Sequence, residues 1–277
     1  MADRKASRAG ELASRFRVSP GSRVDLRRVD PDGSPGFSRE SAGLKMTTDL
    51  ARLASLQERI WAERKHRVLI VLQGIDASGK DGTISHVMSA FNPQGCRVVG
   101  FGVPSEVELA HDYLWRIHAA TPRTGEIVIF NRSHYESVLV ERVHSLVPEA
   151  VWRKRYDQIN DFEATLAAEG TTIVKFFLHI DRDEQLARLK ARYDDPTKRW
   201  KFNVGDLDER KLWDDYRVAF EDALERCSTA VAPWYVIPAN HKWYRDLAVG
   251  EIVAQTLETL DPRYPPRDDI PKDLIFE

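Results

Sequence analysis

Apolar residues fall along this chain in two alternating patterns. The run Val68-Leu69-Ile70-Val71-Leu72 is continuous, as in a strand covered on both faces, and further strands are predicted at Cys96 to Gly100, Glu126 to Phe130, Thr172 to Ile180 and Tyr235 to Pro238. Between them the apolar spacing is helical. Leu50, Leu53, Ala54, Leu56, Ile60 and Trp61 recur on one face of a helix capped by Thr48 or Asp49 and ending near Lys65. Further helices are expected from about Lys80, from Ser105 to His118, from Pro148 to Glu169, from Asp183 to Tyr193, from an Asp208 cap to Arg226, and from Trp243 to Thr259. Residues 29–43, rich in turn formers, read as an irregular arm, Asp194 to Leu207 as a polar loop, and the segment with Pro262, Pro265, Pro266 and Pro271 as a C-terminal strap. Strands alternating with helices predict an α/β protein with three αβα layers around a parallel sheet.

With 277 residues, one large domain with extensions is expected: an arm and helix over 1–66, a core over 67–260 with a helical lid at about 183–211, and a strap over 261–277. Apolar content of 42% and charged content of 30% are ordinary, and no apolar stretch nears the roughly 18 residues needed to span a bilayer. No signal-peptide h-region is visible, and Cys96 and Cys227 are too few for a disulfide framework, so a cytoplasmic protein without membrane partners is expected. A net charge of −2 argues against a nucleic-acid coat. Charge is nevertheless clustered. Arg4, Lys5, Arg8, Arg15, Arg17, Arg23, Arg27 and Arg28 face only Asp3, Glu11 and Asp25 in the first 28 residues, and a second basic group comprises Lys190, Arg192, Lys198, Arg199, Lys201, Arg210 and Lys211.

The candidate chemistry begins where the first strand ends. Gly74-x-x-x-x-Gly79-Lys80 follows it directly and precedes a helix, so backbone N–H groups, the positive end of the helix dipole and the Lys80 ammonium converge on one anion site. A standard phosphate loop continues with Ser or Thr, whose hydroxyl ligates Mg²⁺, whereas this chain has Asp81, with Thr83 two residues on. A carboxylate inside the loop, Asp76, is tolerable beside phosphate if a cation lies between them, which makes it a candidate Mg²⁺ ligand. Arg132, after the third strand, and the basic loop with Lys198 and Lys201 fall at the same sheet edge, where lids close over transferred phosphoryl groups. No protein-kinase His-Arg-Asp or Asp-Phe-Gly tract is present. A phosphate acceptor needs no base, since it is largely anionic at neutral pH, and cationic neutralisation addresses its repulsion from the donor. Phosphate-to-phosphate transfer is therefore the leading reading. An ATP-dependent nucleoside monophosphate kinase of thymidylate-kinase-like fold and a nucleotide-switched binding module remain as alternatives.

The tracts Leu72-Gln73-Gly74-Ile75-Asp76-Ala77-Ser78-Gly79-Lys80-Asp81-Gly82-Thr83, Asn92-Pro93-Gln94-Gly95, Phe130-Asn131-Arg132-Ser133-His134-Tyr135-Glu136 and Lys198-Arg199-Trp200-Lys201-Phe202 resemble the polyphosphate kinase 2 family, and the short single-domain form resembles its class III members. The resemblance implies a P-loop kinase fold and reversible transfer of a phosphoryl group from inorganic polyphosphate to AMP, ADP and other nucleotides, with Mg²⁺ or Mn²⁺, in a homodimer or homotetramer. It accounts for Asp81, which follows the lysine in that family. By position it implies that Asp76 orients the metal and that Lys80 and Arg132 hold the transferring phosphate. Gly74, Ala77, Ser78, Gly79, Asp81, Gly82, Thr83, Asn131, His134, Tyr135 and Glu136 would contact nucleotide or polyphosphate, Glu136 on the nucleotide side, with Arg192, Lys198 and Lys201 from the lid. Asn131 stands where the family often has Asp, so a second metal carboxylate is not implied there. The basic N-terminal surface would guide a polyanion by salt-sensitive attraction, or is simply a solvated face.

Overall fold

The computed structural model describes residues 12–270, so Arg4, Lys5 and Arg8 of the basic arm and Pro271 of the strap lie outside the described residues. In chain order the elements are α1 (Arg39–Glu63), β1 (Arg67–Gln73), α2 (Lys80–Val87), β2 (Cys96–Gly100), α3 (Glu106–Leu109), α4 (Trp115–Ala119), β3 (Ile127–Asn131), α5 (Val140–Val143), α6 (Glu149–Ala168), β4 (Thr171–His179), α7 (Arg182–Asp194), α8 (Gly205–Glu209), α9 (Trp213–Cys227), β5 (Trp234–Pro238) and α10 (Lys242–Thr259). All five strands are parallel, in the order β2-β3-β1-β4-β5.

The unbroken apolar run of β1 follows from its central place. Val68, Ile70 and Leu72 enter a core made with α1, α2 and α10, while Leu69 and Val71 enter a second core made with α6 and α9. Period-2 alternation thus feeds two apolar compartments, and neither face can be polar. Because the chain runs from β1 to β2 on one side and from β3 to β4 on the other, the phosphate loop emerges at the point where the strand order reverses, the usual ligand crevice of such sheets.

Residues before α1 cover the β5 edge. Val18 N–H donates to the Trp234 carbonyl at 2.9 Å, and Arg17 bridges Tyr235 in antiparallel sense. This shields an edge that would otherwise present free backbone groups. At the other end, Tyr264 donates to Glu58 at 2.7 Å and Arg263 N–H to Glu63 at 3.1 Å, laying the strap along α1.

Three boundaries differ from expectation. Helix α1 starts at Arg39, not near Thr48, because Ser38 and Ser41 form a reciprocal capping box; Asp49 lies inside the helix, buried and paired with Lys45. The single helix expected from Ser105 to His118 is two short ones, α3 and α4, since the Asp112 carboxylate accepts from the Leu114 N–H at 2.9 Å and forms a local turn. Asp208 lies within α8 and does not cap α9, which starts at Trp213.

One strand residue breaks the apolar rule. Lys175 of β4 is fully buried in the second core, where its ammonium meets the Glu163 carboxylate, the Tyr135 hydroxyl (2.7 Å) and the Cys227 carbonyl (2.7 Å). Glu163 is also 3.0 Å from the Tyr135 hydroxyl and 3.1 Å from His134 Nε2. Burial pushes the Lys175 pKa down against the opposing pull of Glu163; the Glu163 pKa lies below its ordinary value, its burial outweighed by Lys175 and His134. All three ammonium protons are satisfied, so the lysine is tolerable only with its partners. Lys175→Met should therefore lower stability by about 3–5 kcal/mol in chemical denaturation, by stranding a buried carboxylate. Adding Glu163→Leu should restore most of it, and a double variant as unstable as the single one would refute this account.

Candidate active site

Gly74 has φ 154° and Gly79 φ 108°. A β-carbon on Gly74 would fall 2.6 Å from Ser78 Oγ and 2.9 Å from the Leu178 carbonyl, so the first turn of the loop admits only glycine. Ala77 (φ 65°) and Arg132 (φ 63°) also take left-handed conformations, which cost of order 1–3 kcal/mol each and cluster at functional sites. The loop closes on Lys80, whose ammonium donates to the Gly74 carbonyl at 2.7 Å from a side chain that is 8% exposed. Burial, reinforced by the Arg132 guanidinium, lowers its pKa to about 8.

From the next strand, Arg132 ties two carboxylates together. One nitrogen pairs with Asp76 and the other donates to Glu136 at 3.0 Å. Burial opposes the charge of Arg132, but Glu136 and Asp76 outweigh it and raise its pKa. Asn131 donates to Asp81 at 2.9 Å, and Lys201 reaches the other Asp81 oxygen at 3.5 Å, so the unusual acidic residue links the loop helix to the basic segment. Those two partners, against the effect of burial, hold the Asp81 pKa below the carboxylate range.

A cavity of about 790 Å³ opens over the loop, with eight Lys and Arg side chains against three carboxylates, Asp76, Asp81 and Glu184. That excess of positive charge in a walled cleft suits a polyanion. Of the residues expected from sequence, Asp76, Ala77, Gly79, Lys80, Asp81, Gly82, Asn131, Arg132, Arg192, Lys198 and Lys201 line it together. Gly74 and Glu136 line a smaller space of about 20 Å³ on the other side of Arg132, with Glu209, Tyr216 and Phe220. Ser78 and Thr83 are buried within the loop and its helix. His134 and Tyr135, expected at the ligand, are instead buried on Glu163. Their rings fill the core beneath the turn His134–Ser137 that follows Arg132, because that turn points the side chains inward.

Arg188, Lys242 and Arg245 also line the main cavity and were not among the expected residues. Arg188 is internally satisfied: its guanidinium donates to the carbonyls of Ala77, Ser78, Ala239 and Asn240 at 2.6–3.0 Å and to Glu184 at 2.6 Å, which uses all five donors and braces the loop. The pull of four carbonyls is invisible in sequence. The signal for Lys242 and Arg245 was legible: two cations in the first turn of a helix, against its dipole.

Among the described residues no group of three His, Cys, Asp or Glu side chains is placed to hold a metal by itself. Asp76 faces the cavity, and Asp206 lies near enough that burial, followed by the Asp76 charge, raises its pKa. Such a donor set fits a hard cation that takes one or two carboxylates and fills its shell with water and phosphate oxygens.

Parallel sheet, lysine-bearing loop and basic rim define a P-loop phosphotransferase. The family model described as "Polyphosphate kinase 2" matches residues 37–265. The chain is 54% identical over 265 residues to the AMP/ADP-polyphosphate phosphotransferase of Meiothermus ruber, covering 95% of this chain and 99% of that one. It is 45% identical to the ADP-polyphosphate phosphotransferase of Rhodopseudomonas palustris, over 90% of this chain and 91% of the relative. A crystal structure of polyphosphate kinase 2 from Arthrobacter aurescens superposes with TM-score 0.89 at 44% identity, over 93% and 92% of the two chains. The chain belongs to the polyphosphate kinase 2 family and is a polyphosphate kinase.

Replacing Lys80 by Ala should lower kcat/KM by about 10²-fold or more, the usual cost of removing one oriented charge stabiliser. With its pKa at about 8, Lys80 loses its proton as pH rises past that value in the free enzyme, so kcat/KM for the phosphate donor should fall on the alkaline side. Lys80→Arg keeps its charge there and should remove that limb of the pH profile, whatever its absolute rate. An unchanged alkaline limb in Lys80→Arg would assign it to another group.

Proposed function

We propose that this kinase transfers the terminal phosphoryl group of inorganic polyphosphate to AMP and ADP with Mg²⁺, Mn²⁺ being able to replace it. The observation that carries the reading is the cluster of cations around one loop, with two carboxylates beside it, Asp76 and Glu136, engaged by Arg132. Neither is poised as a base for a hydroxyl, and a phosphate acceptor needs none.

In this mechanism the loop N–H groups and Lys80 grip the donor's terminal phosphate, and Arg132, between the two cavities, spans donor and acceptor. As charge spreads over the transferring group, these fixed cations stabilise it without reorganising. Asp76 is the residue that would hold the cation, which supplies charge neutralisation between the two phosphate chains. The acceptor approaches Arg132 from the Glu136 side. About 20 Å³ is available there, so a nucleoside requires the segment at about 183–211 to move as a lid over the rest of the 67–260 domain. The lid is tied on that side by Glu209, which accepts from the Tyr216 hydroxyl at 2.7 Å and sits 3.0 Å from His144, and by Arg210, which donates to Gln185 at 2.9 Å and to the Arg182 carbonyl at 2.6 Å. The names of the two relatives, which include AMP and ADP, support these acceptors.

A homodimer or homotetramer belongs to this reading. Exposed Val98, Val103, Val107 and Leu109 beside the uncovered β2 edge support it, and light scattering tests it. So does a cytoplasmic location, supported by two free cysteines; no helix among the described residues is long and apolar enough to cross a membrane.

The test is ATP formation from ADP, and ADP formation from AMP, with polyphosphate and Mg²⁺. Both should proceed, and both should stop when a chelator removes the metal. Phosphorylation of AMP by ATP that outpaces polyphosphate-driven transfer would reverse the donor assignment.

A further inference from the structure

The apolar run of β1 ends on a polar residue that the fold nevertheless buries. Gln73 is 1% exposed and, by strand alternation, follows Leu69 and Val71 toward the second core. A buried primary amide is costly unless its hydrogen bonds are made, so its partners explain its presence. Gln73 Nε2 donates to Ser133 Oγ and to Glu136 Oε1, each at 3.1 Å. As a carboxylate Glu136 can only accept, which turns the amide nitrogen, not the oxygen, toward it and commits both protons.

The two bonds differ in purpose. Ser133 Oγ accepts in turn from the Tyr135 N–H at 3.2 Å and opens the turn His134–Ser137, so the first bond fastens β1 to the end of β3. Stability of the fold accounts for that one. Glu136 is not a core residue: its side chain is 15% exposed and lines the 20 Å³ space with Leu139, Val140, Tyr216 and Phe220. Its other oxygen accepts from Arg132 at 3.0 Å. The carboxylate is thus clamped from both sides, Gln73 on one oxygen and Arg132 on the other, and its remaining lone pairs are left for whatever enters that space.

We propose that Gln73 is a positioning residue for the acceptor: by holding Glu136 against Arg132 it sets the carboxylate that accepts from a ribose hydroxyl or base N–H of the incoming nucleotide. This rests on the acceptor placement proposed above and adds to it a residue that acts through Glu136. It also gives β1 a second duty. The strand that ends in the phosphate loop at Gly74 fixes, one residue earlier, the carboxylate on the acceptor side, so both halves of the reaction are registered on one strand end. The orientation of Glu136 matters when nucleotide is bound, so losing it should weaken acceptor binding and leave donor binding alone.

Gln73→Met, a close apolar match in shape, removes the donors, and Gln73→Glu keeps the shape but replaces the donor by a carboxyl; melting temperatures are measured for both. Losing a hydrogen bond to a charged group should raise the KM for AMP and ADP about tenfold or more in Gln73→Met, with the polyphosphate KM at its wild-type value. In Gln73→Glu two carboxylates in contact cannot both ionise freely, so one takes up a proton at a raised pKa. Arg132 and Lys80 oppose that rise, Asp76 and Glu209 favour it, and Tyr216, whose pKa is itself raised by burial, stays neutral. Below that raised pKa the protonated carboxyl donates to its partner as the amide does. The ADP KM of Gln73→Glu should therefore be near wild type in acid and climb as pH rises, a limb absent from wild type and from Gln73→Met. A Gln73→Glu profile parallel to wild type would overturn the positioning role. So would folded Gln73→Met protein with an unchanged nucleotide KM, or with a polyphosphate KM that rises in parallel, which would mark a displaced phosphate loop. If wild-type protein makes no ATP from polyphosphate, calorimetric titration with ADP separates the two claims: weaker binding to Gln73→Met keeps the positioning role and rejects the donor, and equal binding rejects the role as well.

Discussion

A buried ammonium group is the constraint around which the catalytic edge is built. Lys80 sits inside its own loop and must be supplied with carbonyl oxygens there, which turns the Gly74 carbonyl inward and requires positive φ at Gly74, Ala77 and Gly79. Arg188 draws the Ala77 and Ser78 carbonyls away on the other side. With the Gly74, Ala77 and Ser78 carbonyls taken up by lysine and arginine, the loop presents its donors rather than its acceptors to an incoming anion. The anion site is thus a by-product of satisfying two cations, and its polarity is set by backbone direction as much as by side-chain charge.

Such a concentration of positive charge is held in place by what lies beneath it. The Arg132 backbone continues into a turn whose next two side chains, His134 and Tyr135, are anchored to Glu163 and Lys175 inside the second core. Strain at Arg132 is sustained because that turn cannot relax without breaking the buried hydrogen bonds of His134 and Tyr135 to Glu163 and Lys175. The scaffold and the site therefore share one network: the pair fixes the turn, the turn aims the arginine, and the arginine joins Asp76 to Glu136 across the two cavities.

Much of this was legible in the sequence. The continuous run of β1 announced a central strand, Gly74, Gly79 and Lys80 announced the loop, and the spacing to Arg132 and to Lys198 and Lys201 placed them on the same edge, because side-chain period and strand order suffice for that. Where reading failed, the deciding interaction was nonlocal or a matter of direction. His134 and Tyr135 sit in a motif beside Arg132, yet a turn that rotates them inward cannot be inferred from their order. Ser38 was overlooked as a helix cap because Gly43 and nearby turn formers mask the helical period. Lys175, polar in the middle of an apolar strand, was an available signal of a buried partner, but only the fold identifies Glu163 as that partner.

The N-terminal arm has a consequence for how the molecule is assembled. Its partner at the β5 edge is made late: the Ser228 hydroxyl that donates to the Val18 carbonyl is 210 residues downstream. During synthesis the arm emerges before the β5 edge and has nowhere to dock until that edge exists, and closing so long a loop carries an entropic cost that only the finished edge offsets. The edge is therefore sealed last, and the arm acts as a clasp that reports completion of the sheet it closes.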